Sequence, residues 1–531
     1  MTKKLSNRIK NFLKEYQKIN NNFTNLKGKI ILVHFNGWPA TQFAQLLITN
    51  ILSHLGNKKI IAFSDNFFFQ RNTVYLKMTF YAKWFLGIFF KIKNFGIYKN
   101  FGTEHFLLVK PHKKQINNAK IFTQIFYKKN VFKKTILKLK INNILIGDIL
   151  YDSFMHHYRK ETVEVNESLF INYFEKFIAT YFFWLDYFKK NKIATVVNTH
   201  STYLDGLPAR IAMCQKVKCF AVSHNKIYYL TKKFIYPYRE SEFFKKNFAK
   251  LNLNTKKLAL KKAKLGIEKR LNGKLGDMIY LTKTPYGPIT HQKVLRSSSR
   301  KKILIAAHSL SDAPHTRGEG LFLDFYEWLV FLLKLSCKTK YDWYIKCHPN
   351  FHEYNDKTVE VIKKLLKKYN HVKWLDPSTS HKQIIKEGIN LALTVDGSIG
   401  LEYPYFKIPV FNASLINVHI NYKFNEHPKN IKEYKNIILN FNKYKPHIKT
   451  NEILECYFMH NYYYNNNWLI DDYDKVVNYI GGDYRDMNIS KKMYSFFESF
   501  LNKEKLNQLV PSFINFYLKE EYIFNPNKTN K

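Results

Sequence analysis

Cysteine is scarce in this chain. There are five in 531 residues (Cys214, Cys219, Cys337, Cys347, Cys456), an odd number with no pair at the two-residue spacing of a zinc knuckle. That argues against a disulfide framework or a thiolate metal site, and the five read as reduced thiols of a cytoplasmic protein. Long apolar runs are also missing, since no stretch reaches the roughly 18 uninterrupted apolar residues of a membrane span. The nearest candidate, residues 80–95, is interrupted by Lys83, Lys91 and Lys93, which leaves a core helix or a helix lying in a membrane interface. The first twenty residues are too polar for a signal peptide. No Walker A sequence, no Gly-x-Gly-x-x-Gly after a strand and no Ser or Cys nucleophile signature occurs.

Acid is short as well: 40 Asp and Glu against 86 Lys and Arg give a formal charge of +46. A charge of that size ordinarily announces a polyanion. Here the basic residues are nearly all Lys, which lacks the planar fork with which Arg reads bases and phosphates, so no nucleic-acid partner is expected. A solvated basic surface and a face attracting membrane or anionic polymer both remain open. The few arginines, such as Arg210, Arg239 and Arg317, carry more information than the lysines.

What is present is ample core material, 46% apolar and 17% aromatic, and a length that predicts two domains. Residues 1–27 read as a polar amphipathic helix. Residues 29–35 (KIILVHF) and 59–63 (KIIAF) read as buried parallel strands around a helix opened by Pro39, and the strand, turn, helix, strand order is Rossmann-like. The rhythm returns at 194–198 (ATVVN) and 217–222 (VKCFAV), while residues 70–160 show neither period cleanly. Residues 239–300 read as a helical connector and linker. From 303 onward, strands at 303–307, 343–347, 371–375, 389–395 and 408–411 alternate with helices, predicting a doubly wound parallel sheet. The expected divisions are a domain at 28–238, a second at 301–435 and a helical tail at 436–531.

Chemistry concentrates at the strand ends of the second sheet. In TVDGSIGLE (394–402), Gly397 and Gly400 allow a tight turn and close backbone approach, Ser398 and Ile399 open a helix whose N–H groups favour a donor phosphate, and Glu402 is placed to accept from ribose hydroxyls. In KCHPN (346–350) Pro349 fixes a turn that leaves His348 at the sheet edge, where an imidazole can donate to phosphate or touch the base. The first loop of this domain carries Ser309 and Arg317, and Arg317 can neutralise a leaving phosphate in the role a metal takes elsewhere. Asp472 and Asp474 form an Asp-x-Asp pattern, but no apolar strand precedes them, so no metal site and no cofactor is expected.

The segments KCHPN (346–350), TVDGSIGLEYPYFKIPVFNAS (394–414) and INVHINYKFNEHPKNIKEY (416–434) together resemble bacterial capsule and lipopolysaccharide biosynthesis glycosyltransferases of GT-B fold. The resemblance implies an α/β fold of two Rossmann-like domains facing a cleft, with additional helical segments. It implies a nucleotide-sugar donor in the C-terminal domain, a glycan or lipid-linked glycan acceptor, and peripheral contact with the inner membrane. By the same resemblance His348, Ser398 and Glu402 contact the donor, and His419 lies near the site. An inverting transfer needs a base at a strand end of the N-terminal domain; His34, His200, Asp205 and His224 are available there, with His200 and Asp205 the preferred pair. Two other readings stay open: a polyol-phosphate transferase of teichoic-acid type using a CDP-alcohol, and a non-enzymatic basic protein that binds polyanions.

Overall fold

The computed structural model describes residues 2–19, 28–69, 74–274, 283–349, 357–464, 468–470, 473–481 and 490–526. Asp472, half of the Asp-x-Asp pattern, lies outside them. The chain divides into two compact units, the first made of Met1–Leu150, Val165–Pro237 and Asn466–Lys531, the second of Tyr151–Glu164 and Tyr238–Asn465.

The first unit holds β1 (Ile30–His34), β2 (Lys59–Ser64), β3 (Thr103–Leu108), a small hairpin of β4 (Lys140–Ile141) and β5 (Ile144–Leu145), then β6 (Ile193–Asn198), β7 (Lys218–Val222) and β8 (Ile227–Leu230). Its main sheet runs β3-β2-β1-β6-β7-β8. Every pairing is parallel until β8, which turns back antiparallel on β7. The central strands are continuous apolar runs because helices cover both faces; all six residues of β6 are buried. The helix Thr2–Ile19 buries Leu5, Ile9 and Leu13 completely and packs against the helix Pro39–Gly56.

Besides the small hairpin, two strands of the main sheet lie outside the sequence expectation for physical reasons. β3 is an edge strand with a half-polar sequence, TEHFLL, whose side chains alternate only loosely between core and solvent. β8 has four residues and follows a tight turn closed by the Ser223 N–H donating to the Lys226 carbonyl at 2.9 Å. The open edge of β8 is covered by the chain's far end: Tyr229 N–H donates to the Tyr522 carbonyl and Phe524 N–H to the Ile227 carbonyl, both at 2.9 Å. The helix Lys503–Lys519 sets Phe513, Phe516 and Tyr517 against Phe220 of β7.

The second unit carries β9 (Lys302–Ala307), β10 (Asp342–Cys347), β11 (Lys373–Leu375), β12 (Leu391–Thr394) and β13 (Val410–Asn412). They form an all-parallel sheet in the order β11-β10-β9-β12-β13. The pleat sends Ile303, Ile305, Trp343 and Ile345 into a core with Trp328 and Leu332, and Leu304 and Tyr344 into a second core with Ile384 and Tyr403. In both units the parallel strands, counted along the chain, have the spatial order 3-2-1-4-5 of a doubly wound sheet. The crossover direction reverses between β1 and β6 in the first and between β9 and β12 in the second. At such a switch point the connecting loops part, and a crevice opens beyond the C-terminal strand ends.

Candidate functional site

In the second unit the switch point is flanked by His308, just past β9, and by the turn after β12. The His308 ring stacks on Phe325 with centroids 4.7 Å apart. Its Nε2 lies 3.1 Å from the Thr394 hydroxyl and accepts from the backbone N–H groups of Val395 and Asp396 at 3.2 and 3.4 Å. A ring nitrogen that accepts backbone protons belongs to a neutral imidazole. Burial, with His348 and Arg317 close by, pushes the His308 pKa down to about 4, in keeping with that state. The Thr394 hydroxyl also accepts from the Gly397 N–H at 3.1 Å. Arg317 ion-pairs with Asp396 on this turn and donates from Nε to the Tyr238 carbonyl at 3.0 Å. The other carboxylate oxygen of Asp396 is buried without a hydrogen-bond partner.

Behind the turn sits a buried charged cluster. The helix Ile399–Tyr405 turns Glu402 inward, where it is 2% exposed and accepts from Arg270 Nε at 2.6 Å and from the Tyr286 hydroxyl at 2.9 Å. Arg270 is fully buried, and its second terminal nitrogen lies 3.5 Å from the Ser398 hydroxyl. Both Glu402 oxygens are thus engaged within the protein, and a ribose contact would require this pair to open. Lys346, on the same side of β10, is also buried, and desolvation pulls its pKa down to about 8. His381, bonded through Nδ1 to the Tyr403 hydroxyl at 2.7 Å, is held well below the ordinary histidine range by burial and by Lys346, His348 and Arg270. His348 itself is half-buried, at the end of β10.

The two glycines of the turn meet a steric need within the fold. Neither Gly397 nor Gly400 has a positive φ. A Cβ on Gly400 would collide with the His419 ring, and one on Gly397 would stand 2.8 Å from the Thr394 hydroxyl oxygen. His419 is 1% exposed, with its pKa well below the ordinary value through burial and through His427, His460 and Arg317, and its Nδ1 has no hydrogen-bond partner. The sequence-selected residues His348, Gly397, Ser398, Ile399, Gly400, Arg317 and His419 therefore gather around one turn. Ser309, next to His308, accepts from the Asp312 N–H through its carbonyl at 3.3 Å.

In the first unit, His34 ends β1, Asp65 follows β2, and Thr199 to Asp205 follow β6. Asp205 accepts through one oxygen from the Thr199 hydroxyl at 2.6 Å and from the Ser201 N–H at 3.2 Å. Thr199 Oγ1 lies 3.5 Å from His34 Nδ1, at the outer limit of hydrogen-bond length. With the proton on Nδ1, the order His34, Thr199, Asp205 aligns the imidazole and leaves Nε2 with a lone pair. His200, half-buried, has Trp38 at 5.8 Å between ring centroids, and its charge bears on His224, whose pKa burial lowers to about 3. Asp65 was not singled out by sequence. It is 2% exposed, one of its oxygens has no hydrogen-bond partner, and burial pushes its pKa up to about 6, against the pull of His34 and with a smaller push from Asp205. Its one sequence signal is its place directly after an apolar strand, KIIAFS. Arg270 gave less: it ends a Lys-rich helix, Leu253–Leu271. Among the described residues no group of three or more His, Cys, Asp or Glu is arranged to hold a metal ion.

No family model matches the chain, and no curated protein matches it. Among solved structures, a glycosyltransferase from Rickettsia africae ESF-5 aligns over 90% of this chain and 99% of that one, at 12% identity and a TM-score of 0.23. A likeness at that score is too loose to bear on fold or activity.

Two outcomes follow from the buried charges. Glu402→Ala removes the carboxylate that accepts from the Arg270 Nε and the Tyr286 hydroxyl, a loss of about 3–5 kcal/mol. The double variant Glu402→Leu/Arg270→Met recovers most of it, and urea unfolding of the single and double variants measures the difference. For Asp65, the folded carboxyl at about 6 holds a proton that the unfolded one, near the ordinary 3.8, has released. Stability therefore falls as pH rises from about 4 to 6, by about 1–3 kcal/mol. Asp65→Asn removes that fall, so thermal midpoints of the two proteins diverge across the same window.

Proposed function

We propose that the chain is a glycosyltransferase that moves a sugar from a nucleotide-activated donor to a growing surface polysaccharide, capsule or lipopolysaccharide, in an inverting and metal-independent reaction with the GT-B arrangement. The observation that carries this reading is the Arg317 guanidinium on the turn after β12, at the switch point of a doubly wound sheet, with His308 and His419 close by. A guanidinium binds phosphate through paired, charge-assisted hydrogen bonds. A donor phosphate would take the place of Asp396 on Arg317, with His348 and the Ser398 hydroxyl as further contacts. Glu402 would serve by holding Arg270 beside Ser398.

On the acceptor side the reading assigns the base to the strand ends of the first unit, among His34, His200 and Asp205. The base takes the acceptor hydroxyl's proton as its oxygen bonds to the sugar's anomeric carbon. The bond from that carbon to the donor phosphate oxygen breaks, its electron pair stays on that oxygen, and the Arg317 guanidinium neutralises the negative charge that develops there. The placement of Thr199 and Asp205 on the Nδ1 side of His34 supports His34 Nε2 as the atom that receives the proton. A lipid-linked acceptor would bring the protein to the cytoplasmic face of the inner membrane as a peripheral partner.

Thermal-shift titration with UDP, CDP, GDP and CDP-glycerol tests the donor assignment, because a ligand that binds only the folded state raises its apparent stability. One nucleoside diphosphate should stabilise the protein. Arg317→Ala should weaken that binding about ten- to a hundredfold, and Asp396→Asn, which frees the guanidinium, should tighten it. Unchanged affinity in Arg317→Ala would place the donor elsewhere, and release of CMP from CDP-glycerol would select the polyol-phosphate reading. Turnover should persist in EDTA. Asp205→Asn should cut turnover by more than about a hundredfold while sparing nucleotide affinity.

A further inference from the structure

The helix Val74–Phe89 and the residues after it present an apolar surface that the fold of the first unit does not cover. One side of the helix packs inward: Trp84 lies 5.4 Å from Phe35 and 5.0 Å from Phe95 between ring centroids, and Gly87 admits the Phe95 ring. The other side points to solvent. Met78, Phe85, Phe89 and Phe90 are 66%, 69%, 69% and 63% exposed, and Leu86 and Ile92 are exposed with them. Positions 78, 85, 86 and 89 fall on one helical face, so these side chains form a continuous stripe rather than scattered single residues. Scattered exposed apolar residues need no explanation; a contiguous stripe does.

The stripe has a cationic fringe. Lys83, Lys91 and Lys93 are exposed beside it, and Lys110 reaches over the Tyr81 ring at 5.3 Å. No acidic residue occurs between Asp65 and Glu104. The contrast with the helix Thr2–Ile19 is instructive, since that helix is also basic and amphipathic but its apolar face is buried under the fold. A second copy of the chain fits the stripe poorly, because self-pairing would set one lysine fringe against the other. No helix among the described residues is long and apolar enough to cross a membrane.

We infer that the face formed by Met78, Phe85, Leu86, Phe89, Phe90 and Ile92 docks the protein onto an anionic lipid bilayer, lying in the plane of the interface. The aromatic side chains enter the headgroup boundary while the lysines meet anionic headgroups, the pairing of forces that holds interfacial helices. This inference rests on the peripheral membrane contact proposed above and supplies its surface. Its test uses neither donor nor turnover, so the two fail separately.

The measurement is co-sedimentation of the full chain with phosphatidylcholine vesicles, with and without phosphatidylglycerol. The wild type should bind the anionic vesicles, less at high salt, and bind the neutral ones weakly. Phe85→Glu/Phe89→Glu should weaken binding to anionic vesicles more than about tenfold, and Lys91→Glu/Lys93→Glu should reduce it toward the neutral-vesicle level. Both pairs are exposed, so thermal midpoints should not change; Phe85→Ser/Phe89→Ser serves as a milder pair with the same expected loss. Anionic-vesicle binding that survives the phenylalanine substitutions overturns the inference, because general charge would then be the cause. So does a wild type that ignores anionic vesicles, or a lipid-free dimer that Phe85→Glu/Phe89→Glu dissociates, which would assign the stripe to a second copy.

Discussion

A parallel strand covered by helices on both faces has little room for polar side chains except at its ends. That constraint shapes each unit. β6 buries all of its residues, so the polar groups of that stretch collect in the loop from Thr199 to Asp205. β12 does the same and delivers Thr394, Asp396 and Ser398. Because the strand order reverses beside the first strand of each sheet, the loops of β1 and β6, and those of β9 and β12, are the ones that open away from each other. The histidines, carboxylates and Arg317 at those ends follow from the winding.

Where the sequence was legible, the reason was the same constraint. Runs such as KIILVHF and INLALTV are apolar without alternation because both faces are buried, and the turn chemistry after them marks where burial ends. β3 was illegible because an edge strand exposes part of each face and its composition drifts toward that of a loop. The turn TVDGSIG was legible, and Arg317 and His419 lie against it, but the packing around two of its residues was not. Glu402 looks like a ligand contact on paper because it is polar and lies one turn into a helix. Its burial against Arg270 depends on a residue 132 positions away, which no local pattern reveals. Gly400 is required by the His419 ring packed on it, again a long-range cause.

The buried charges divide by how they are compensated. Arg270 and Glu402 satisfy each other, with Tyr286 taking the remaining carboxylate oxygen, so the pair holds a rigid charged floor under the turn at little net gain in stability. Asp65 and Lys346 are compensated less fully, and each responds by shifting toward its neutral form, the carboxyl upward and the ammonium downward. Groups poised in that way cost stability. They persist most often where a proton has to be held or passed.

The edge of β8 closed by residues near Tyr522 bears on the order in which the molecule is assembled. The whole of the second unit is complete in sequence by Asn465, whereas the first needs residues beyond it to cover its outer strand. The helix Ser490–Phe500 likewise stacks Phe497 on Phe43 at 4.1 Å, and Arg8 donates to the carbonyls of Glu498 and Leu501. During synthesis the earlier-made sheet must therefore wait, with β8 unpaired on its outer side, while the intervening unit emerges and folds. An unpaired strand is a template for wrong partners, and the interval between those two events leaves the outer edge of β8 open to them.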